Sequence, residues 1–175
     1  MRSPRLLVLL VCLAVIPLRA ADRSLQVFGG LSPEILRSPD GAASTYRGWN
    51  ASVAGRLFWR VSLVADFAGH YGQEYRVVDN HVHTFLSGPR VSLRNGRIAP
   101  FVHALFGVSR LRSDSGGPIW SDSAFTLAAG GGVDLRLMRH WSARIVQIDY
   151  LRRAFFGEPP HAGRLSAGVV YRFGE

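Results

Sequence analysis

The chain has 175 residues, 47% of them apolar, with 21 basic against 12 acidic side chains, a net charge of +9 and one cysteine. That is a single domain's worth of chain, neither disordered nor a polytopic helical membrane protein, and it lacks the cysteines for a disulfide framework or a Cys-rich zinc site. Every basic residue is Arg, spread from Arg2 to Arg172 without long runs, which argues against a nucleic-acid-binding face.

Residues 1–21 have the layout of a secretory signal peptide. Arg2 and Arg5 precede an apolar run over 6–16, Pro17 breaks it, and cleavage is expected after Ala20 or Ala21. The run is too short to span a bilayer comfortably as a helix. Residues 22–175 are expected to form the mature domain.

Past residue 22 the two-residue period dominates and the helical one is hard to find. Eight strands are predicted, at 24–31, 47–58, 60–71, 81–94, 99–111, 123–137, 141–155 and 164–173. Segments of roughly ten residues suit a tilted strand crossing a hydrocarbon layer. Long polar connections at 32–46, 72–80, 112–122 and 157–163 alternate with tight turns at 58–60, 95–97 and 138–140. Asn95-Gly96 is a strong hairpin signal. Long loops at one end and short turns at the other are the asymmetry of a transmembrane barrel, whose ends face different compartments.

The faces alternate too. The second segment sets Trp49, Ala51, Val53, Gly55 and Leu57 against Asn50, Ser52, Ala54 and Arg56; the sixth sets Phe125, Leu127 and Ala129 against Thr126, Ala128 and Gly130. Apolar outside and small or polar inside is what lipid demands of a barrel wall, whereas in water that apolar belt would aggregate. The first, fifth and seventh segments fit less cleanly, and in the seventh regular alternation puts either Arg144 or Asp149 on the wrong face. Aromatics mark the strand ends, with Trp49 and Tyr71 towards one edge and Phe58, Trp59, Trp141 and Phe173 towards the other.

Parity places Arg56, Asp66, Arg90, Asp134 and Arg172 inside, joined by Asp149 in one register of the seventh segment. A charge enclosed in a narrow barrel needs a partner, so a salt-bridged interior network is expected, with Asp134 serving Arg56 and Arg172 near the inner end. Eight strands leave too little width for an open aqueous channel. A hydrolase would need Ser, His and an acid together, and no such set is brought together by spacing. His81 and His83 share a face at a separation a metal could accept, but no third ligand accompanies them. Gly130-Gly131-Gly132 falls within a strand and is read as allowing bending or close packing. No catalytic, cofactor-binding or metal-binding residue is assigned.

With these residues in place the chain resembles the small eight-stranded outer-membrane β-barrel proteins, the group of the OmpA transmembrane domain and its OmpX-like relatives. The resemblance is most specific at Ser166-Ala167-Gly168-Val169-Val170-Tyr171-Arg172-Phe173, similar to the family's terminal strand. Gly88-Pro89-Arg90-Val91-Ser92-Leu93, followed by Arg97, Pro100-Phe101 and Gly107, resembles the hairpin between the fourth and fifth strands. It implies an all-β fold, an eight-stranded antiparallel transmembrane up-and-down β-barrel with short periplasmic turns and four longer extracellular loops. It also implies that Ser166, Gly168, Tyr171 and Phe173 are a terminal assembly signal read by the barrel-assembly machinery, and that outer-membrane lipid and lipopolysaccharide surround a monomer in the cell outer membrane. The expected function is non-enzymatic, with an occluded interior, serving envelope integrity or surface interaction through the outer loops. The alternatives are a lipid-active outer-membrane enzyme and a soluble, lipocalin-like ligand-binding barrel.

Overall fold

Residues 25–37, 43–74, 78–93, 96–114, 120–154 and 161–174 are described by the computed structural model; the signal segment, Asn95 and most of the turn-forming residues in the long connections lie outside them. The strands are β1 (Leu25–Leu31), β2 (Glu34–Arg37), β3 (Ala43–Phe58), β4 (Val61–Glu74), β5 (Val78–Ser92), β6 (Ile98–Asp114), β7 (Trp120–Arg136), β8 (Trp141–Ala154) and β9 (His161–Phe173). All pair antiparallel in one sheet. β1 and β2 share a single place in the wall, because both pair with β3 on one side and β9 on the other. From Leu31 to Glu34 the partner on β3 moves from Trp49 to Tyr46, an equal step, so the register continues across the break. Pro33 has no N–H to give to the ladder. Bonds from Ser32 N–H to Gly48 O (2.8 Å) and from Leu165 N–H to Pro33 O (3.0 Å) bridge the gap. The wall thus has eight places and is closed where β1 and β2 meet β9, the barrel the sequence implies.

The register also sets the barrel's dimensions. Followed once around from Gln26 through Ala54, Val64, Gly88, Leu105, Ala128, Leu151 and Ala162, the paired positions return to the first wall strand at Leu36, ten residues further on. Eight strands with that stagger tilt by about 43° and enclose a radius of about 8 Å. Such a cylinder is filled by its own side chains. An apolar seam of Ala54, Val64, Leu86, Leu105, Ala128, Leu151 and Ala162 winds inside along this path.

Three features differ from the sequence reading. The expected first loop is largely wall, since β2 and the start of β3 lie within 32–46. Other strands also run further outwards, β4 to Glu74, β6 to Asp114 and β9 from His161. The seventh segment carries a β-bulge: Val133 pairs with Val146 but Asp134 pairs with Arg144, leaving Ile145 as an extra residue. The bulge resets the parity, so Arg144 and Asp149 both point inwards. No choice between them was needed.

On the other strands alternation holds, apart from the inner end of β3, where the register against β4 shifts between Arg56 and Phe58 and both Leu57 and Phe58 are exposed. Leu127 is 49% exposed on the outer face and Ala128, next to it, 3%. The outer ladder of β6 runs through Val102, Phe106 and Val108, all exposed. From Ile98 to Val108 it rises about 24 Å, close to the height of an outer-membrane apolar band. Trp59, at φ 44°, turns β3 into β4, and Gly96, at φ 62°, lies in the turn between β5 and β6, where a left-handed backbone suits glycine.

Candidate functional site

The charged side chains of the interior form three connected groups. At the outer end, Arg153 on β8 makes a bidentate pair with Glu34 on β2, Nη1 to Oε1 at 2.5 Å and Nη2 to Oε2 at 2.8 Å. His70 Nδ1 lies 3.5 Å from the same Glu34 carboxylate. Thr84, Ser109 and Thr126 form a hydroxyl chain beside them, with Ser109 2.9 Å from Thr84 and 2.8 Å from Thr126. At mid-depth, Arg164 on β9 donates to Asp66 at 2.8 Å and to Asp149 from Nε at 2.9 Å and Nη2 at 2.7 Å. Asn50 donates to Asp66, and both His103 and Gln147 contact Asp149. At the inner end, Asp134 receives Arg90 at 2.9 Å and Arg144 Nε at 2.8 Å. Arg144 also donates to Gln147, which joins this group to the middle one.

Packing fixes these positions. The Arg144 guanidinium lies between Phe28 and Phe101, 4.2 and 4.5 Å from their ring centroids, and Arg90 stacks 3.7 Å from Phe101. Gly130 makes room for the middle group: a Cβ there would lie 2.2 Å from Asp149 Oδ1. Glu34, Asp66, Asp134, Asp149, Arg144 and Arg164 each meet two or more polar partners, which is the condition for keeping charge out of water. Arg90, by contrast, bonds to Asp134 and leaves its Nε buried without a hydrogen bond.

With this geometry the chain can be set beside known proteins. No protein-family model and no curated protein matches the sequence. Among solved structures, Neisserial surface protein A aligns over 87% of this chain and 100% of its own, with TM-score 0.70 and 16% identity. Ail, the attachment invasion locus protein of Yersinia pestis, covers 87% of this chain and 99% of its own at TM-score 0.63 and 16% identity. The N-terminal β-barrel domain of Pseudomonas aeruginosa OprF covers 87% and 98% at TM-score 0.59 and 12% identity. The fold is that of the small outer-membrane β-barrels.

Within this outer-membrane-type barrel, Asp66, Arg90, Asp134, Asp149 and Arg172 are buried. Arg56 is not: it is partly exposed near the inner rim, and none of the described ion pairs includes it. The described ion pairs place Arg90 and Arg144 on Asp134, and none of them brings Arg56 there. Position on the strand explains the difference, since Arg56 is two residues from the turn and its long side chain reaches water. Sequence reasoning missed Glu34, Arg144, Arg153 and Arg164. Arg164 shares parity with Ser166 and Arg172 and could have been found. Glu34 was hidden in an expected loop, and Arg144 by the bulge.

Ser166 is buried against Ser32, 3.0 Å away, while Tyr171 and Phe173 pack edge-on, at 4.6 Å between centroids, on the inner rim. Gly168 admits the close approach of β1, for a Cβ there would lie 2.3 Å from Gly29 O. One set does have the order of a hydrolytic relay: Ser32 Oγ is 3.5 Å from His70 Nε2, and His70 faces Glu34. All three residues are buried, however, and Arg153 occupies both oxygens of Glu34. Ser32 is held by its 3.0 Å contact with Ser166 as well as by His70. His81 and His83 lie on the outer face beside Tyr71. Among the described residues no group of three or more His, Cys, Asp or Glu is placed to hold a metal ion.

Proposed function

We propose that this chain is a non-enzymatic outer-membrane protein whose interior is closed by its ion-pair network. It works through its two outer surfaces, the lipid-facing wall and the extracellular rim, in envelope integrity or surface interaction. The observation that supports the reading is the series of buried ion pairs at successive depths, Glu34–Arg153, then Arg164 with Asp66 and Asp149, then Asp134 with Arg90 and Arg144, inside a barrel of about 8 Å radius. Export by the 1–21 segment, surrounding lipopolysaccharide, a monomeric state and recognition of Ser166, Gly168, Tyr171 and Phe173 by the barrel-assembly machinery complete the proposal. The attachment function in the name of the Yersinia pestis neighbour favours surface interaction.

Planar-bilayer recording on folded protein tests it. The unaltered chain should show no large stable conductance, and Asp134→Asn should leave conductance nearly unchanged because Arg90, Arg144, Phe28 and Phe101 still fill the inner end. A large, steady conductance that rises with Asp134→Asn would make the interior a gated pore. Release of acyl chains from outer-membrane lipid by the purified barrel would replace the structural reading with an enzymatic one.

A further inference from the structure

The outward ladders of β3 to β6 end at the outer rim in side chains rich in hydrogen-bond donors. Register aligns Arg47, Tyr71, His81 and Arg112 in one row, and Trp49, Gly69, His83 and Arg110 in the row below it. Arg47, Arg110 and Arg112 are exposed, and neither row contains a carboxylate. Gly69 is buried beneath the side chains of Trp49 and Tyr71. A Cβ there would lie 3.0 Å from Trp49 Nε1 and 3.2 Å from Tyr71 Oη, so the indole N–H and the phenol O–H both lean over the same glycine. Ring contacts hold them in place: Trp49 packs on Phe67 with centroids 5.5 Å apart, and Tyr71 meets His83 edge-on at 6.1 Å.

Depth gives this patch its meaning. Arg110 follows Val108, the last apolar outward residue of β6, so Arg110 and Arg112 begin where the hydrocarbon band on that strand ends. The paired rows climb outwards from β3 to β6, so Trp49 and Tyr71 lie below them, at the edge of the band. Guanidinium groups match phosphate oxygens through paired N–H donors, and fixed aromatic N–H and O–H groups add directed bonds. At this depth the anion delivered at high local concentration is one carried by a lipid.

We propose that the outer face of β3 to β6 binds a phosphate-bearing lipid headgroup of the surrounding leaflet. Arg110 and Arg112 take the phosphate charge, and Trp49 and Tyr71 donate to its oxygens above Gly69. The site rests on the membrane-barrel reading. The test uses the folded barrel in phosphatidylcholine nanodiscs containing phosphatidic acid, with native mass spectrometry of the lipids that stay bound on release. Phosphatidic acid should be retained in preference to phosphatidylcholine, and R110Q/R112Q should lower its retention about tenfold. Arg152→Gln, at the outer end of β8, should leave retention unchanged. Should the double variant not fold, Trp49→Phe keeps every charge and the ring contact while removing the indole N–H, and it should still weaken binding.

Equal retention of the two lipids, or an equal loss from Arg152→Gln, overturns the site. Complete displacement of phosphatidic acid by inorganic phosphate would make it a soluble-anion site and overturns the lipid assignment. If the unaltered chain fails to insert and shows no heat-modifiable gel mobility, the membrane reading itself falls. Normal insertion without lipid preference sinks only the phosphate site.

Discussion

Arg164 comes from the last strand and satisfies two carboxylates at once, Asp149 on the adjacent strand and Asp66 across the lumen. Removing it leaves both acids buried without that cation, which is the costly way to break an ion pair. Arg164→Met, which keeps most of the side-chain volume, should destabilise the barrel by about 3–5 kcal/mol. Urea unfolding in lipid, followed by the heat-modifiable band, measures this; an unchanged midpoint would mean that the middle group is hydrated. The outer face obeys the opposite rule. Leu127→Arg puts a cation into the hydrocarbon band at about 2–4 kcal/mol. Ala128→Arg, one position along, meets the seam of Val64, Leu105 and Leu151 and fails by crowding. Equal folding of Leu127→Arg and the unaltered chain in bilayers would show that β7 faces the other way.

At the scale of elements, the bulge in β8 carries the most consequence. Because one residue of slip turns every side chain to the other face, Ile145 is what allows Arg144 below it and Gln147, Asp149 and Arg153 above it to share the lumen. Deleting Ile145 forces one of those groups towards lipid, and the variant should give no heat-modifiable species. Replacing Ile145 with Val should fold normally. Strands with regular alternation, such as β4, β7, β9 and most of β3, were legible from the sequence because lipid on one side and a narrow lumen on the other leave each residue a binary choice. Bulges and strand extensions were not. A bulge is invisible to strict alternation, and Pro33, Asp40 and Gly41 have the composition of a loop even though Pro33 falls between two segments of one wall strand. The interior charges were legible only where parity was regular, as at Asp66, Arg90 and Asp134. Which acid meets which Arg depends on the stagger around the whole barrel, and that is a property of all eight places together.

For the whole molecule, closure and asymmetry set the exposed backbone. Every wall strand is paired on both sides, so no open edge remains among the described strands. Protease added to intact cells should therefore cut only at the four outer connections. Cleavage at 95–97 in intact cells would invert the orientation, and with it the assignment of the Trp49–Arg110 rim to the outer leaflet.

The Arg164–Asp66 contact joins residues 98 positions apart in the chain. The Glu34–Arg153 pair spans 119. A growing sheet that has laid down everything up to β8 still holds Asp66 without its cation, and it cannot retire that debt from any strand already present. The cation that Asp66 needs therefore arrives with the final hairpin, in the same step that seals the wall. Partly assembled forms keep a wet, charged concave side that hydrocarbon rejects, so commitment to the bilayer and completion of the chain become one event. Contacts between such distant parts of the chain favour slow folding, governed by the meeting of its ends.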